Sequence, residues 1–260
     1  NITDISPDFT LNSYVQILRT ALASGYAFSG VSDFLSSPAL WSVVLRHDVD
    51  RFPFRALDMA QAECTMGICS TYYFRHNSHA FKPKIIWAVS SLGHEVGYHY
   101  EVLADAKGDV NMARKLFADN LNKFRDICPV TTVAMHGRPF SPYTETDFWK
   151  NATLEEFGLT GEAFLSFAGC NFPYLTDTGR SWSSAGCNIR DRIPTGQPLD
   201  GIASTAQLAE YIQQKRSAVL YLSAHPERWP KSTVGWVGSL LFDLIANFAK
   251  RAVRVARRVY

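Results

Sequence analysis

The sequence has no apolar run of the roughly 20 residues that a membrane-spanning helix needs. Its first ten residues, NITDISPDFT, lack the basic start and the apolar stretch of a secretory leader. No internal repeat and no low-complexity linker interrupts the 260 residues. Because 47% of the residues are apolar, the chain can bury a full core, and we expect one domain over residues 1–260.

Paired cysteines are also missing. The five cysteines are odd in number and form no C-x-x-C pair; they are Cys64, Cys69, Cys128, Cys170 and Cys187. A zinc site built on paired cysteines is therefore excluded. Buried free thiols are typical of a reducing compartment, so we expect a cytoplasmic protein.

Acidic residues are absent from the last fourteen positions, NFAKRAVRVARRVY. This tail holds five cations, which are Lys250, Arg251, Arg254, Arg257 and Arg258. The other 21 of the 26 basic residues are balanced against 24 acidic ones, so the net charge of +2 becomes −3 without the tail. A mildly acidic body argues against a nucleic-acid-binding protein.

The tail also shows helical periodicity. Spacings of three and four place one apolar stripe on a helix over residues 233–260, formed by Leu241, Leu244, Phe248, Ala252, Val255 and Val259. The five cations lie on the other side of that helix. Two interpretations of the stripe remain open. It packs on the barrel or on a second subunit, as in a homodimer; alternatively, it lies on the anionic inner face of a membrane.

Along the rest of the chain, predicted strands and helices alternate. Helices are predicted over 10–24, 54–66, 82–92, 109–127 and 204–216, and strands over 43–45, 68–74, 94–101, 131–137 and 218–226. The Pro-, Gly-, Ser- and Thr-rich stretch 138–203 predicts loops, short helices near 145–158 and strands around 163–176. This order favours a parallel α/β sheet closed as a barrel.

The chain is organised around residues 41–53, WSVVLRHDVDRFP. A short buried strand is followed by His47, Asp48 and Asp50, and then by a helix. Two acids two residues apart are costly unless a cation or a shared proton relieves their repulsion. One of them could instead cap the helix that follows.

Three further predicted strands end in polar groups: His99 with Glu101, His136, and His225. The carboxyl ends of parallel strands share one face, so these side chains should converge with Asp48 and Asp50. Carboxylate and imidazole ligands suit Zn²⁺ or a similar cation with one position open for water. A second carboxylate can take a proton from that water, and a histidine can protonate the leaving group. The pattern therefore indicates metal-assisted hydrolysis.

Five motifs carry a family resemblance: LRHDVD, GHEVGYHYE, MHGRP, FPYLTDTGRSW and LYLSAHPERW. In this order they resemble the polysaccharide deacetylases, the NodB-homology group of carbohydrate esterase family 4, and within it a branch found in O-antigen and other surface-polysaccharide clusters. The resemblance implies a distorted (β/α) barrel that removes N-acetyl groups from sugars with a divalent metal. We expect zinc, with nickel, cobalt and iron as alternatives.

The resemblance also implies residue roles. Asp48 matches the catalytic base, Asp50 the metal-binding aspartate, His99 the first metal-binding histidine and His225 the catalytic acid. Arg138 or His136 is expected to orient the base. The residues expected to support the site or to bind substrate are Asp177, Trp182, His47 and Tyr100.

One position departs from the family pattern. The second metal-binding histidine should follow His99 by four residues, where this chain has Leu103. Leucine cannot bind a metal, so Glu101 or His136 is expected as the replacement ligand, with His94 and His47 as further candidates. The other possibility is a site that binds metal weakly or not at all.

These observations predict an N-deacetylase that acts on an acetamido sugar, nucleotide- or lipid-linked, during surface-polysaccharide assembly in the cytoplasm or at the inner membrane face. Two alternatives remain open. One is a metal-independent amidohydrolase acting on a cyclic amide or ureide, and the other is a catalytically silent sugar-binding subunit.

Overall fold

A computed structural model describes residues 7–138, 141–182, 193, 199 and 201–259, and for residues 249–259 it describes the backbone alone. Cys187, one of the predicted free thiols, lies outside these residues. In the described part the other cysteines are free thiols, and Cys64 and Cys69 are exposed rather than buried as predicted. No helix in this part is both long and apolar enough to span a bilayer.

Helices and strands alternate through most of the chain. The helices are α1 (Leu11–Ala23), α2 (Val31–Ser36), α3 (Pro53–Cys64), α4 (Pro83–Ser91), α5 (Val102–Asp105), α6 (Val110–Arg125), α7 (Thr205–Gln213) and α8 (Thr233–Val259). The strands are β1 (Ala27–Ser29), β2 (Ser42–Val49), β3 (Thr71–Arg75), β4 (Glu95–Tyr100), β5 (Thr132–Met135), β6 (Gly161–Glu162), β7 (Tyr174–Thr176) and β8 (Val219–Ala224). Short 3₁₀ turns cover Glu145–Lys150, Glu155–Phe157, Leu165–Phe167 and Pro226–Arg228.

The eight strands form one sheet in the order β6-β5-β4-β3-β2-β8-β7, with β1 also paired to β2. Every pairing is parallel. In the described residues β6 and β7 end the sheet without pairing to each other, so the curled sheet is an incompletely closed barrel. The distorted (β/α) barrel expected from the resemblance is thus confirmed, whereas full closure is not found.

The helix starts follow local sequence signals. Thr10 and Ser13 form a capping box at the start of α1, and Ser204 and Gln207 form another at α7. Helices α3 and α4 begin with proline, which needs no hydrogen bond at that position. The predicted C-terminal helix is present as α8.

Strand β2 is longer than predicted and extends over Ser42–Val49. Backbone pairing with β3 and β8 on its two sides continues through His47. His47 and Asp48 therefore lie inside the strand and not in the loop after it. Because side chains alternate along a strand, Arg46 and Asp48 share one face and His47 points to the other.

His47 belongs to a buried polar cluster between the sheet and the helices. Its Nε2 lies 2.9 Å from Glu63 Oε1, and that oxygen also accepts a hydrogen bond of 2.5 Å from the Tyr14 hydroxyl. Ser70 donates to Glu63 Oε2 at 2.6 Å, and His94 Nδ1 lies 3.6 Å from the same oxygen. Burial alone would raise the pKa of Glu63, but its contacts with His47, His94 and Ser70 together outweigh burial and lower the pKa.

This cluster places His47 and His94 away from Asp48 and joins α1, α3 and the sheet. Neither histidine can therefore replace the missing metal ligand. The geometry gives His47 a structural role, in contrast to the substrate-side support that the resemblance implied.

We expect Glu63→Ala to lower the free energy of unfolding by about 3–5 kcal/mol, because it leaves buried polar partners without their carboxylate. Urea denaturation followed by circular dichroism measures this change. Glu155→Ala, at an exposed position, is the matched control and should change stability by less than about 0.5 kcal/mol. Equal stability of the two variants would show that the cluster does not hold the helices on the sheet.

Candidate active site

Three side chains meet at the carboxyl ends of strands β2, β4 and β5. Asp50 follows β2, His99 is in β4, and His136 follows β5. Asp50 Oδ1 lies 3.6 Å from His99 Nε2 and 3.5 Å from His136 Nε2. One ligand atom from each residue lies within 4.8 Å of the others.

These separations fit a divalent cation. In a tetrahedral site with bonds near 2.1 Å, neighbouring ligand atoms are about 3.4 Å apart. Asp50 Oδ1 is buried and has no hydrogen-bond partner among the described residues. A buried carboxylate oxygen between two imidazole nitrogens has the donor chemistry of a zinc-type site.

Both histidines are held by their other ring nitrogen. His99 Nδ1 donates to the carbonyl oxygen of Ala134 at 3.0 Å, and His136 Nδ1 donates to Glu101 Oε2 at 3.0 Å. Such contacts fix the tautomer and leave Nε2 available as a ligand. His136 Nε2 is therefore available as a second nitrogen ligand, which Leu103, four residues after His99, cannot provide.

Glu101 lies behind His136. Its Oε1 accepts a hydrogen bond of 3.0 Å from Arg75, and Arg138 approaches its Oε2 at 3.4 Å. Burial would raise the pKa of Glu101, but His136 and Arg75 outweigh it and lower the pKa to about 2. With both oxygens engaged, Glu101 orients His136, and the geometry favours His136 over Glu101 as the third ligand.

Asp48 lies beside this group. Its Oδ2 accepts a hydrogen bond of 3.0 Å from Arg46 and lies 3.9 Å from His99 Nε2. Its Oδ1 is buried and has no hydrogen-bond partner among the described residues. One carboxylate oxygen is thus anchored and the other can accept a proton.

The residue that anchors Asp48 is Arg46, which the sequence analysis did not single out. Arg46 is fully buried, and its guanidinium lies 4.3 Å from the ring centroid of Phe164. Arg138, expected in that role, instead pairs with Asp105 at 2.9 Å and with Glu101. The signal for Arg46 was the alternation Arg46, Asp48, Asp50, which puts the arginine on the same strand face as the acids.

Across the site, His225 is held by Asp177. Its Nδ1 donates to Asp177 Oδ1 at 2.6 Å, and its backbone N–H donates to Asp177 Oδ2 at 2.9 Å. Burial and the charge of Arg228 lower the pKa of His225, but Asp177 outweighs them and raises it to about 9. The imidazole is thus charged at neutral pH and can donate a proton.

Asp177 is one part of a longer row of charges. It also accepts hydrogen bonds from Arg228 at 3.1 Å and from Trp229 Nε1 at 2.7 Å. Arg228 Nε lies 3.6 Å from Asp243 of α8, whose other oxygen accepts a hydrogen bond of 2.8 Å from Arg180. These contacts connect His225 to the C-terminal helix.

Two other predicted supporting residues lie in the core. Trp182 is buried and packs against Trp229 with ring centroids 5.8 Å apart. The Tyr100 hydroxyl accepts a hydrogen bond of 2.8 Å from Trp149. Trp182 supports the site through Trp229, a partner of Asp177, while Tyr100 packs away from the ligand group.

All the reactive groups line one cavity of about 620 Å³, a size typical of small-molecule sites. Its wall includes Asp48, Asp50, His99, His136 and His225. The sequence analysis did not single out Glu227, which also lines it. Glu227 is buried, its Oε2 has no hydrogen-bond partner among the described residues, and burial together with the nearby charge of Asp50 raises its pKa to about 7.

No protein-family model matches this sequence, and no curated protein matches it. A carbohydrate esterase family 4 (CE4) esterase from Streptococcus mutans is similar in structure, with 13% identity, coverage of 89% of this chain and 91% of that chain, and a TM-score of 0.47. A mutant of peptidoglycan deacetylase PdaC from Bacillus subtilis has 12% identity, coverage of 84% of this chain and 96% of that chain, and a TM-score of 0.39. A family 4 carbohydrate esterase from Bacillus anthracis has 12% identity, coverage of 90% and 84%, and a TM-score of 0.35. At these identities and TM-scores, we base the functional assignment on this chain's own residues.

The ligand assignment predicts a graded loss of metal affinity. Zn²⁺ affinity is measured by calorimetric titration. In Glu101→Gln the affinity should fall about 10- to 100-fold, because His136 loses its orienting contact. In His136→Ala the affinity should fall further, because a ligand is lost. His79→Ala, a histidine on the cavity wall outside the ligand group, is the matched control and should bind as the parent does. A greater loss in Glu101→Gln than in His136→Ala would make Glu101 the ligand.

Proposed function

We propose that this chain is a metal-dependent hydrolase that removes the N-acetyl group from an acetamido sugar. The observation that carries the proposal is the joint placement of a cation-sized ligand group, a carboxylate with one unpartnered oxygen and a charged histidine around one cavity. Asp50, His99 and His136 would hold the metal. When bound there, it would polarise the amide carbonyl and lower the pKa of the attacking water.

Asp48 acts as the general base. Arg46 keeps its Oδ2 in place, so that Oδ1 can take a proton from the water that attacks the amide carbon. The anchored geometry holds this carboxylate ready without a rearrangement during the reaction.

His225 acts as the general acid. Its Nδ1 is fixed by Asp177, which leaves Nε2 to donate a proton to the sugar nitrogen as the carbon–nitrogen bond breaks. The products are acetate and a free amino sugar. Asp177 stabilises the imidazolium form of His225, much as the carboxylate of a Ser-His-Asp triad stabilises its histidine.

The proposal includes the identity of the metal and the class of substrate. The nitrogen and oxygen ligands suit zinc, and nickel, cobalt or iron would accept the same donors. We propose a nucleotide- or lipid-linked acetamido sugar as substrate, in O-antigen or other surface-polysaccharide assembly at the cytoplasmic face of the membrane. The cavity volume leaves room for a sugar ring and its acetamido group.

Metal analysis and acetate release test the proposal together. Purified protein should hold about one divalent ion per chain and release acetate from acetamido-sugar conjugates, and a chelator should abolish that release. Activity on a cyclic amide or ureide without metal would support the amidohydrolase alternative. Sugar binding without acetate release in the metal-loaded protein would support the silent-subunit alternative.

The two aspartates should separate metal binding from catalysis. We expect Asp48→Asn to keep the metal and to lower kcat by on the order of 100-fold or more, because the proton acceptor is lost. Asp50→Ala should lose metal and activity together. Metal content by mass spectrometry and acetate release are measured on the same samples, and equal metal loss in both variants would contradict the division of roles.

The charged state of His225 predicts the alkaline limb of the pH profile. Because its pKa is raised to about 9, the proton donor is present below that pH and is lost as the pH rises through it. The kcat/KM profile should therefore fall near pH 9. In Asp177→Asn the negative charge is removed, the pKa of His225 falls, and the limb should move to lower pH.

The control for this experiment is Asp105→Asn, an acid that pairs with Arg138 and does not contact His225. Its alkaline limb should coincide with that of the parent. An unmoved limb in Asp177→Asn would show that a group other than His225 donates the proton.

A further inference from the structure

Helix α8 is turned with its polar side toward the protein. Trp236 Nε1 donates to the Asp8 carbonyl oxygen at 2.7 Å, and the Ser239 hydroxyl donates to the Glu227 carbonyl oxygen at 2.8 Å. Asp243 is buried against Arg180 and Arg228, and Asn247 donates to the Gly179 carbonyl oxygen at 3.2 Å. These positions recur at helical spacing, so one polar face attaches the helix.

The opposite side of α8 is apolar and exposed. We call this side the α8 outer face. Its side chains are 44–84% exposed, and they are Val234, Val237, Leu241, Leu244, Ile245 and Phe248. A helix on a globular protein normally buries its apolar stripe and exposes its polar side. The reversed arrangement indicates that the α8 outer face is covered by something other than the residues that the structure describes.

The mouth of the active-site cavity lies beside this helix. Phe242 and Ala246 of α8 line the cavity, together with Phe52 and Phe54 at the start of α3. All three phenylalanines are at least half exposed, and the Arg51 guanidinium lies 3.4 Å from the Phe242 ring centroid. The apolar surface thus extends from the helix to the rim of the site.

The charge of α8 distinguishes between the candidate partners. Beyond Phe248 the helix continues to Val259, and this segment has five Lys or Arg residues and no acid. A second copy whose α8 packed in parallel along the same face would bring two such segments together, and their charges would repel. An anionic lipid surface complements the charge and also covers the apolar residues.

We propose that α8 docks the protein on an anionic lipid surface, with the α8 outer face in the interfacial layer and the cavity mouth at the lipid boundary. Docking does not depend on the proposed catalytic activity. Each cation near such a surface strengthens binding about fivefold, which corresponds to roughly 1 kcal/mol, so the cations and the apolar face act together.

Vesicle sedimentation of the full chain tests the proposal. We expect binding to vesicles of phosphatidylglycerol and phosphatidylcholine, at least tenfold weaker binding to phosphatidylcholine alone, and a decrease with rising salt. The double variant Leu244→Glu with Phe248→Glu should bind the anionic vesicles at least tenfold more weakly. Arg254→Gln with Arg257→Gln should lose about 25-fold, at roughly fivefold for each charge.

The matched control is the double variant Leu40→Glu with Trp87→Glu. Both residues are exposed apolar side chains, at 76% and 61%, outside α8 and off the cavity wall. This variant should sediment with vesicles as the parent does, and circular dichroism checks that all variants fold.

Two results would overturn the proposal. One is equal binding of the parent to anionic and neutral vesicles. The other is no binding of the parent to either kind of vesicle. In that case, a parent dimer in analytical ultracentrifugation that Leu244→Glu with Phe248→Glu dissociates would make the α8 outer face an interface between two copies.

Discussion

Inside β2, the guanidinium of Arg46 donates to Asp48 Oδ2 at 3.0 Å, and both side chains are almost completely buried. Asp50 adds a second carboxylate two residues later. Two acids this close, Asp48 buried and Asp50 partly buried, need compensation, since an unpaired buried charge costs several kcal/mol. Arg46 supplies it for Asp48 from the same strand, and His136, whose Nε2 lies 3.5 Å from Asp50 Oδ1, supplies it for Asp50. Asp48, the proposed base, and Asp50, a proposed metal ligand, can therefore coexist as neighbours, and the rest of the site is arranged around them.

The two faces of β2 separate the proposed catalytic groups from the core cluster around Glu63. On the cavity side the strand presents Arg46 and Asp48, while on the helix side His47 meets Glu63 and Tyr14. Adjacent residues in the motif LRHDVD thus serve different purposes, although they look like one cluster in the sequence. For this reason a substitution at Glu63 should act through folding and one at Asp48 through chemistry.

The parallel sheet and its strand-end residues could be predicted because apolar runs and helical periodicity are local signals. Strand β1 and helix α2 were missed because elements of three and six residues carry too little periodicity. Whether His136 or Glu101 is the third candidate metal ligand depends on which side chain reaches the centre of the ligand group. That follows from the register between β4 and β5, which the sequence does not specify. Arg46 could have been found from its alternation with the two acids. Residues 139–140 and most of 183–200 lie outside the described part of the chain.

The charges that attach α8 also reach His225, the proposed proton donor. Asp243 contacts Arg228, Arg228 contacts Asp177, and Asp177 holds His225. Any displacement of α8 that moves Asp243 must therefore change the electrostatic field at His225. Thermodynamic linkage makes this coupling reciprocal: if the position of α8 alters the proton affinity of His225, then protonation of His225 alters the energy of α8 in that position by the same amount. The α8 outer face, proposed to dock on lipid, and His225, the proposed proton donor, are thus parts of one energetic unit.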